Sequence, residues 1–236
     1  MELLNLLFPP RCPICQDVLE DSKSLICEKC YKKVIFIKEP FCFSCGKQLE
    51  DPREELCFDC KKHPKSFDKG RGLCFYNDEM RVSLSAIKYH NQRDFVKFYA
   101  AEIKKQKKVL LSWNVDLIVP VPLHPWKQRK RGFNQAMLFA KEIGNIINKP
   151  VDDKFLIRRT YTTPQKTLGP MERVKNLEQV FAVNQKERKR VGIPRSVLLV
   201  DDIYTTGATV ESCARALKKV GVQKVYVYCI AIGRDI

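Results

Sequence analysis

The stretch VLLVDDIYTTGAT at residues 197–209 decides the reading of this chain. Val197, Leu198, Leu199 and Val200 form an unbroken apolar run, as expected of a central parallel strand covered by helices on both faces. Asp201 and Asp202 follow at its C-terminal end, where ligands bind in open α/β sheets. Thr205, Thr206, Gly207, Ala208 and Thr209 make a turn of small and hydroxylated residues, in which backbone N–H groups and hydroxyls converge on an anion. Val210, Cys213, Ala214, Leu217 and Val220 then repeat at helical spacing, with Gly221 placed as the cap. An anion in the turn therefore sits at a helix N-terminus. Two carboxylates so close to it repel it unless hydroxyls and a cation such as Mg²⁺ lie between.

The same order of strand, loop and helix is expected upstream. DLIVPV at residues 116–121 reads as a short buried strand and runs into Pro122, Leu123 and His124, then into the basic tract WKQRKR at 126–131, read as loop. Phe133, Met137, Ala140, Gly144 and Ile147 are expected to share one helical face. Strand patterns at 72–76 and 225–232, with helical patterns at 79–89 and 94–105, complete a set of parallel β-α-β units. Further basic runs at 104–108 and 186–190 read as a helix end and a loop. The expected division is a small cysteine-rich module over residues 1–66 and an α/β domain over 67–236.

Eight of the eleven cysteines form four C-x-x-C pairs, Cys12/Cys15, Cys27/Cys30, Cys42/Cys45 and Cys57/Cys60, each beginning fifteen residues after the last. A C-x-x-C turn presents two thiolates to one side of a Zn²⁺, and a second pair completes a tetrahedral site. Two closed sites are expected, structural rather than catalytic because four thiolates leave no open position. Neighbour pairing closes the shortest loops and is the first choice, with interleaved pairing left open. The regular spacing points to a duplicated zinc-ribbon unit. His63 reads as an exposed loop residue, and Cys74, Cys213 and Cys229 as small buried hydrophobes.

Lys and Arg total 43 against 27 acids, a formal net charge of +16 that points to a polyanionic partner. The first residues carry Glu2 and too short an apolar stretch for a secretory signal, and no run is long enough to cross a bilayer. The expectation is a cytoplasmic protein, whose reducing surroundings favour cysteine as a metal ligand over disulfides. No G-x-x-x-x-G-K-[ST] occurs, so any movement of a polyanionic partner falls to a separate translocating ATPase.

The order of four apolar residues, Asp-Asp, two spacers and TTGAT resembles the phosphoribosyl-pyrophosphate (PRPP) motif of type I phosphoribosyltransferases. With VPVPLHPWKQRKRGFNQA, the N-terminal FPPRCPIC and the four cysteine pairs, the whole chain resembles the ComF family. The resemblance implies a Rossmann-like α/β phosphoribosyltransferase domain with a parallel sheet, preceded by a double zinc ribbon. It implies that Asp201 and Asp202 hold the ribose hydroxyls, that Thr205, Thr206, Gly207, Ala208 and Thr209 hold the 5′-phosphate, and that Val121, Pro122, Leu123 and His124 form the pyrophosphate loop. Residues 158–176, with Arg158, Thr160, Gln165, Lys166, Leu168, Arg173 and Asn176, correspond to the flap, where Arg173 joins the acid pair as a catalytic candidate. His124, Arg129, Arg131 and Lys166 are further candidates for pyrophosphate contact. The family association with transforming DNA makes Lys127, Arg129, Lys130 and Arg131 candidates for binding single-stranded DNA. Two functions stay open: a PRPP-binding protein that handles DNA during uptake, and an Mg²⁺-dependent phosphoribosyltransferase of nucleotide metabolism without a direct DNA role. Glutamine-derived ammonia is a poor acceptor candidate, because the first cysteine belongs to a metal pair.

Overall fold

A computed structural model describes residues 9–159 and 180–233. In chain order its elements are α1 (Glu28–Tyr31), α2 (Phe58–Lys62), β1 (Lys69–Phe75), α3 (Asp78–Tyr89), a 3-10 turn (Arg93–Phe95), α4 (Val96–Lys105), α5 (Lys107–Ser112), β2 (Leu117–Pro120), α6 (Pro125–Arg131) and α7 (Gln135–Ile147). There follow β3 (Leu156–Arg158), β4 (Phe181–Val183), α8 (Gln185–Val191), β5 (Ser196–Tyr204), α9 (Ala208–Lys219) and β6 (Lys224–Ile232). β1, β6, β5 and β2 form, in that order, a fully parallel sheet, and β3 pairs with β4 as a separate antiparallel ribbon.

Alternation along the central strand explains its unbroken apolar run. Leu198 and Val200 face a core shared with Phe139 and Ile143 of α7 and Phe98, Tyr99 and Ile103 of α4. Val197 and Leu199 face the opposite core, with Val210, Cys213 and Leu217 of α9 and with Phe155 and Phe181 of the β3–β4 ribbon. Successive side chains point to opposite faces, so a strand covered on both sides has no polar positions to spare. Cys74, Cys213 and Cys229 are buried within these cores.

The cysteine-rich segment straddles this sheet. Its first half sends Cys12, Ile14, Leu19, Cys30 and Val34 into the α4/α7 core, and its second half sends Cys42, Cys45, Leu49, Cys57, Cys60 and Phe67 into the α9 core. The connecting segment pairs antiparallel with β1: Ile37 N–H donates to Leu73 O at 3.1 Å and Phe75 N–H to Ile35 O at 2.8 Å. An otherwise open sheet edge is thereby covered.

The two halves repeat each other. Leu19 N–H donates to Pro10 O and Leu49 N–H to Pro40 O, while Cys12 N–H donates to Asp17 O and Cys42 N–H to Lys47 O. The turn residue with positive φ is Gln16 in the first (65°) and Gly46 in the second (79°). Glycine is required only in the second, where a Cβ would come within 2.6 Å of Gly70 O and Arg71 Cα on β1.

Two expectations need correction. The basic tracts at 126–131 and 186–190 are helical, lying within Pro125–Arg131 and Gln185–Val191, not loops. Pro125 at the start and Gly132 at φ 78° past the end bracket the first, and Asn184 caps the second by accepting from Lys186 N–H. In α7 the buried face is Ala136, Phe139, Ala140, Ile143, Gly144 and Ile147. Phe133 lies before the cap and Met137 is only half-buried, because Asn134, accepting from Ala136 N–H, sets where the helix begins.

Candidate functional site

β2 and β5 are neighbouring parallel strands, so the loops that leave them open at the same end of the sheet. Residues 121–124 follow β2, and residues 205–207 follow β5 before α9 begins at Ala208. Val121 N–H donates to Val200 O at 2.9 Å, and the Asn134 amide donates to Val121 O at 2.9 Å, tying the first loop to β5 and to the start of α7. His124 caps α6 by accepting from Trp126 N–H through Nδ1 at 3.2 Å.

The turn of the second loop is set by Gly207 at φ 75°, a left-handed conformation that side chains disfavour. Space forbids them too, since a Cβ here would run into the Tyr204 ring. Thr205 and Thr206 are exposed, and Thr206 Oγ1 accepts from Ala208 N–H at 3.4 Å. Ala208 and Thr209 open the 12-residue α9, whose N-terminal N–H groups face the turn.

Asp201 and Asp202 occupy the last buried turn of the strand, 9% and 5% exposed. Burial, and then the neighbouring Asp202 charge, hold the Asp201 carboxyl well above the usual carboxylate range. Asp202 Oδ2 pairs with Lys88 Nζ at the end of α3 and has no aligned hydrogen-bond partner among the described residues. Lys88 is a residue of the candidate site that sequence reasoning missed. Its only local signal is a cation on an amphipathic helix, and its partner lies far along the chain on β5. A raised acid pKa in the folded state favours the protonated form, so that stability is present below the unfolded value near 4 and lost as pH rises through the folded value. Asp201→Asn is therefore expected to raise thermal stability by a few degrees at pH 8 without Mg²⁺, the gain shrinking towards pH 4. Thermal melts across that range check it; equal gains at both ends would contradict the electrostatic cause.

Tyr204, also missed, closes the strand beneath the turn. Its hydroxyl is buried with no hydrogen-bond partner among the described residues, and burial first, then the nearby Cys45 and Cys60 charges, push its pKa up. Tyr204 packs under Gly207 and shares a core with the second cysteine cluster, which therefore lies behind the turn at residues 205–207. A further link joins them: Ser66 N–H donates to Glu211 Oε2 in the first turns of α9 at 2.8 Å.

Cys12, Cys15, Cys27 and Cys30 form one sulfur cluster, and Cys42, Cys45, Cys57 and Cys60 the other, each with all Sγ atoms within 4.8 Å. Neighbour pairing is therefore the observed one. Sγ separations of 3.9 Å (Cys15 to Cys27) and 3.6 Å (Cys45 to Cys57) match the edge of about 3.8 Å of a tetrahedral Zn–S₄ unit. Hydrogen bonds first from Cys45, then from Cys57 and Cys60, hold the Cys42 thiol far below its ordinary range, while those with Cys42 push Cys45 far above it. Four thiols converging at these separations in each closed set fit a structural Zn²⁺, which would hold all four as thiolates. His63 is exposed and outside both clusters.

Lys127, Arg129 and Lys130 are exposed on α6, and Arg131 is half-buried, donating to Gln135 Oε1. Lys127, Lys130 and Arg131 line one cavity, whereas Arg129 is not among its walls. Thr160, Gln165, Lys166, Leu168, Arg173 and Asn176 lie outside the described residues. The ends of that segment are held side by side, with Arg158 opposite Phe181 and Arg159 N–H donating to Val180 O at 2.8 Å. No helix among the described residues is long and apolar enough to cross a membrane.

Residues 3–61 match the double zinc ribbon domain and residues 134–235 the phosphoribosyl transferase domain. Similar proteins include Competence protein F of Haemophilus influenzae, 29% identical over 227 residues that cover 94% of this chain and 96% of that one. Competence protein ComFC of Bacillus subtilis is 27% identical over 65% of this chain and 59% of its own length. DNA utilization protein YhgH of Escherichia coli is 32% identical over 49% and 48%. Two closed cysteine clusters ahead of a parallel sheet, the two domain matches and the likeness to Competence protein F and ComFC together support the ComF family for this chain.

Proposed function

We propose that this chain binds PRPP with Mg²⁺ at the C-terminal end of β2 and β5 and serves in DNA uptake by handling single-stranded DNA. In this reading residues 1–66 supply the metal-stapled module and residues 67–236 the sugar-phosphate domain. Asp201 and Asp202 take the ribose hydroxyls, residues 205–209 the 5′-phosphate, and residues 121–124 the pyrophosphate. The observation that carries it is the buried acid pair beside a helix N-terminal turn, with Lys88 as its counter-charge. Hard carboxylate oxygens with an unaligned lone pair suit Mg²⁺, which supplies charge neutralisation for pyrophosphate oxygens when bound. The DNA role is supported by the names of the relatives, Competence protein F, ComFC and DNA utilization protein YhgH.

The test is a calorimetric titration of PRPP with and without Mg²⁺, followed by assay of pyrophosphate release with candidate nucleobases. Saturable Mg²⁺-dependent binding without turnover is the expected result. Turnover with a free base favours instead a phosphoribosyltransferase of nucleotide metabolism, and absence of binding with Mg²⁺ refutes the site. Where transfer does occur, cleavage at C1′ places positive charge on the ring and negative charge on the departing group. The loop donors at 121–124 and the flap cation Arg173 then have the task of stabilising the leaving pyrophosphate.

A further inference from the structure

We propose that the cavity between α6 and the α3–α4 connection binds an unpaired nucleobase together with its phosphate. The cavity, about 550 Å³, lies within the size range of small-molecule sites. Among its described walls are five Lys or Arg side chains, three aromatic rings and no carboxylate. That combination recognises an anion that carries a flat ring.

The cations and rings are interleaved. Lys130 lies over Trp126 at 5.4 Å, Arg131 over Tyr89 at 5.0 Å, and Arg93 over Phe133 at 4.3 Å from the ring centroid. Yet Trp126 and Tyr89 stay 61% and 70% exposed, so each offers a ring face to a ligand. Large aromatic surface left in water costs free energy that stacking by a base recovers, and every base has a π-face. The flanking guanidinium and ammonium groups are placed for phosphate oxygens. Lys88 belongs to this cavity and also to the Asp202 pair, so the base site adjoins the acid pair.

Where the ligand is a strand, the inference rests on the single-strand reading above and gives it a location. A free nucleotide carries the same chemistry, and the experiment separates the two sources. The chain has two tryptophans, and Trp113 is buried against Tyr226 with ring centroids 5.1 Å apart, which leaves Trp126 as the solvent-facing reporter. Full-length protein is titrated with oligo(dT) of twelve nucleotides and with dTMP, reading tryptophan quenching and the anisotropy of labelled oligonucleotide. Trp126→Ala and Tyr89→Ala, truncations at exposed positions, are each expected to weaken binding about tenfold or more, and Trp126→Phe to restore most of it. Lys186→Ala with Lys189→Ala, on the exposed basic face of α8, is expected to change affinity less than threefold.

Tight quenching by the oligonucleotide alone assigns the cavity to a strand, and comparable quenching by dTMP assigns it to free nucleotides; both support the proposal. Oligonucleotide affinity unchanged in both aromatic variants, with no quenching, overturns the cavity and leaves the single-strand reading standing. Failure of the unaltered protein to bind either ligand overturns both. PRPP affinity measured on the same variants is expected to stay within about threefold, which keeps the sugar-phosphate site distinct.

Discussion

Cys45→Ser is expected to destabilise the protein more than any other single substitution considered, and to loosen the turn at residues 205–207 from behind. Structural zinc sites contribute folding free energy outright, on the order of 10 kcal/mol in small domains, so losing one ligand costs several kcal/mol. Cys45 is 2% exposed and belongs to the core under α9, where Gly70 packs so closely on its backbone that a Cβ there would lie 2.8 Å from Cys45 O. Tyr204, behind Gly207, shares the cluster's core, and Ser66, shortly after Cys60 in the chain, is bonded to Glu211. Melting is expected to fall by at least about 10 °C, zinc content from two per chain to one, and amide exchange at residues 205–208 to accelerate. Cys15→Ser is the matched comparison. Its cluster lies against the other core and Cys15 is exposed, so it is expected to lose metal with little change in exchange at the turn. Equal acceleration in both variants would refute the mechanical link.

Asp202→Asn is expected to weaken PRPP binding about 100-fold in Mg²⁺. A carboxylate that accepts charge-assisted hydrogen bonds from sugar hydroxyls and shares a cation contributes roughly 2–3 kcal/mol, and an amide does neither. The substitution also strands Lys88, whose side chain is only 15% exposed. Stranding a half-hidden ammonium costs stability that Lys88→Met recovers, so the two changes should couple in a double-mutant cycle on melting. PRPP affinity and melts on the two single variants and the pair measure this. Unchanged PRPP affinity in Asp202→Asn would remove the acid pair from the site.

Much of the candidate site's local geometry was legible because its determinants are local. Asp201, Asp202 and Gly207 lie within seven consecutive residues whose strand and turn conformations follow from their own side chains. The zinc ligands were legible for the same reason, a C-x-x-C turn being a short-range object. The basic tracts at 126–131 and 186–190 were misread because charge density was taken for loop, while the helical start at Pro125 and the cap at Asn184 were overlooked. Lys88 and Tyr204 carried no comparable signal. A lysine near a helix end and a tyrosine closing a strand are ordinary until the fold sets an acid or a sulfur cluster opposite them.

Sequence by itself determined the parallel α/β class, the four-by-two division of the cysteines and the acid pair before a glycine turn, since spacing and side-chain chemistry act over a few residues. Only the tertiary structure decided that the two sulfur clusters pack on opposite faces of one sheet, that Lys88 neutralises Asp202, and that Trp126 and Tyr89 meet around a basic cavity. Those relations join residues far apart along the chain, and what brings them together is burial of apolar surface on both sides of β5, which no local pattern encodes.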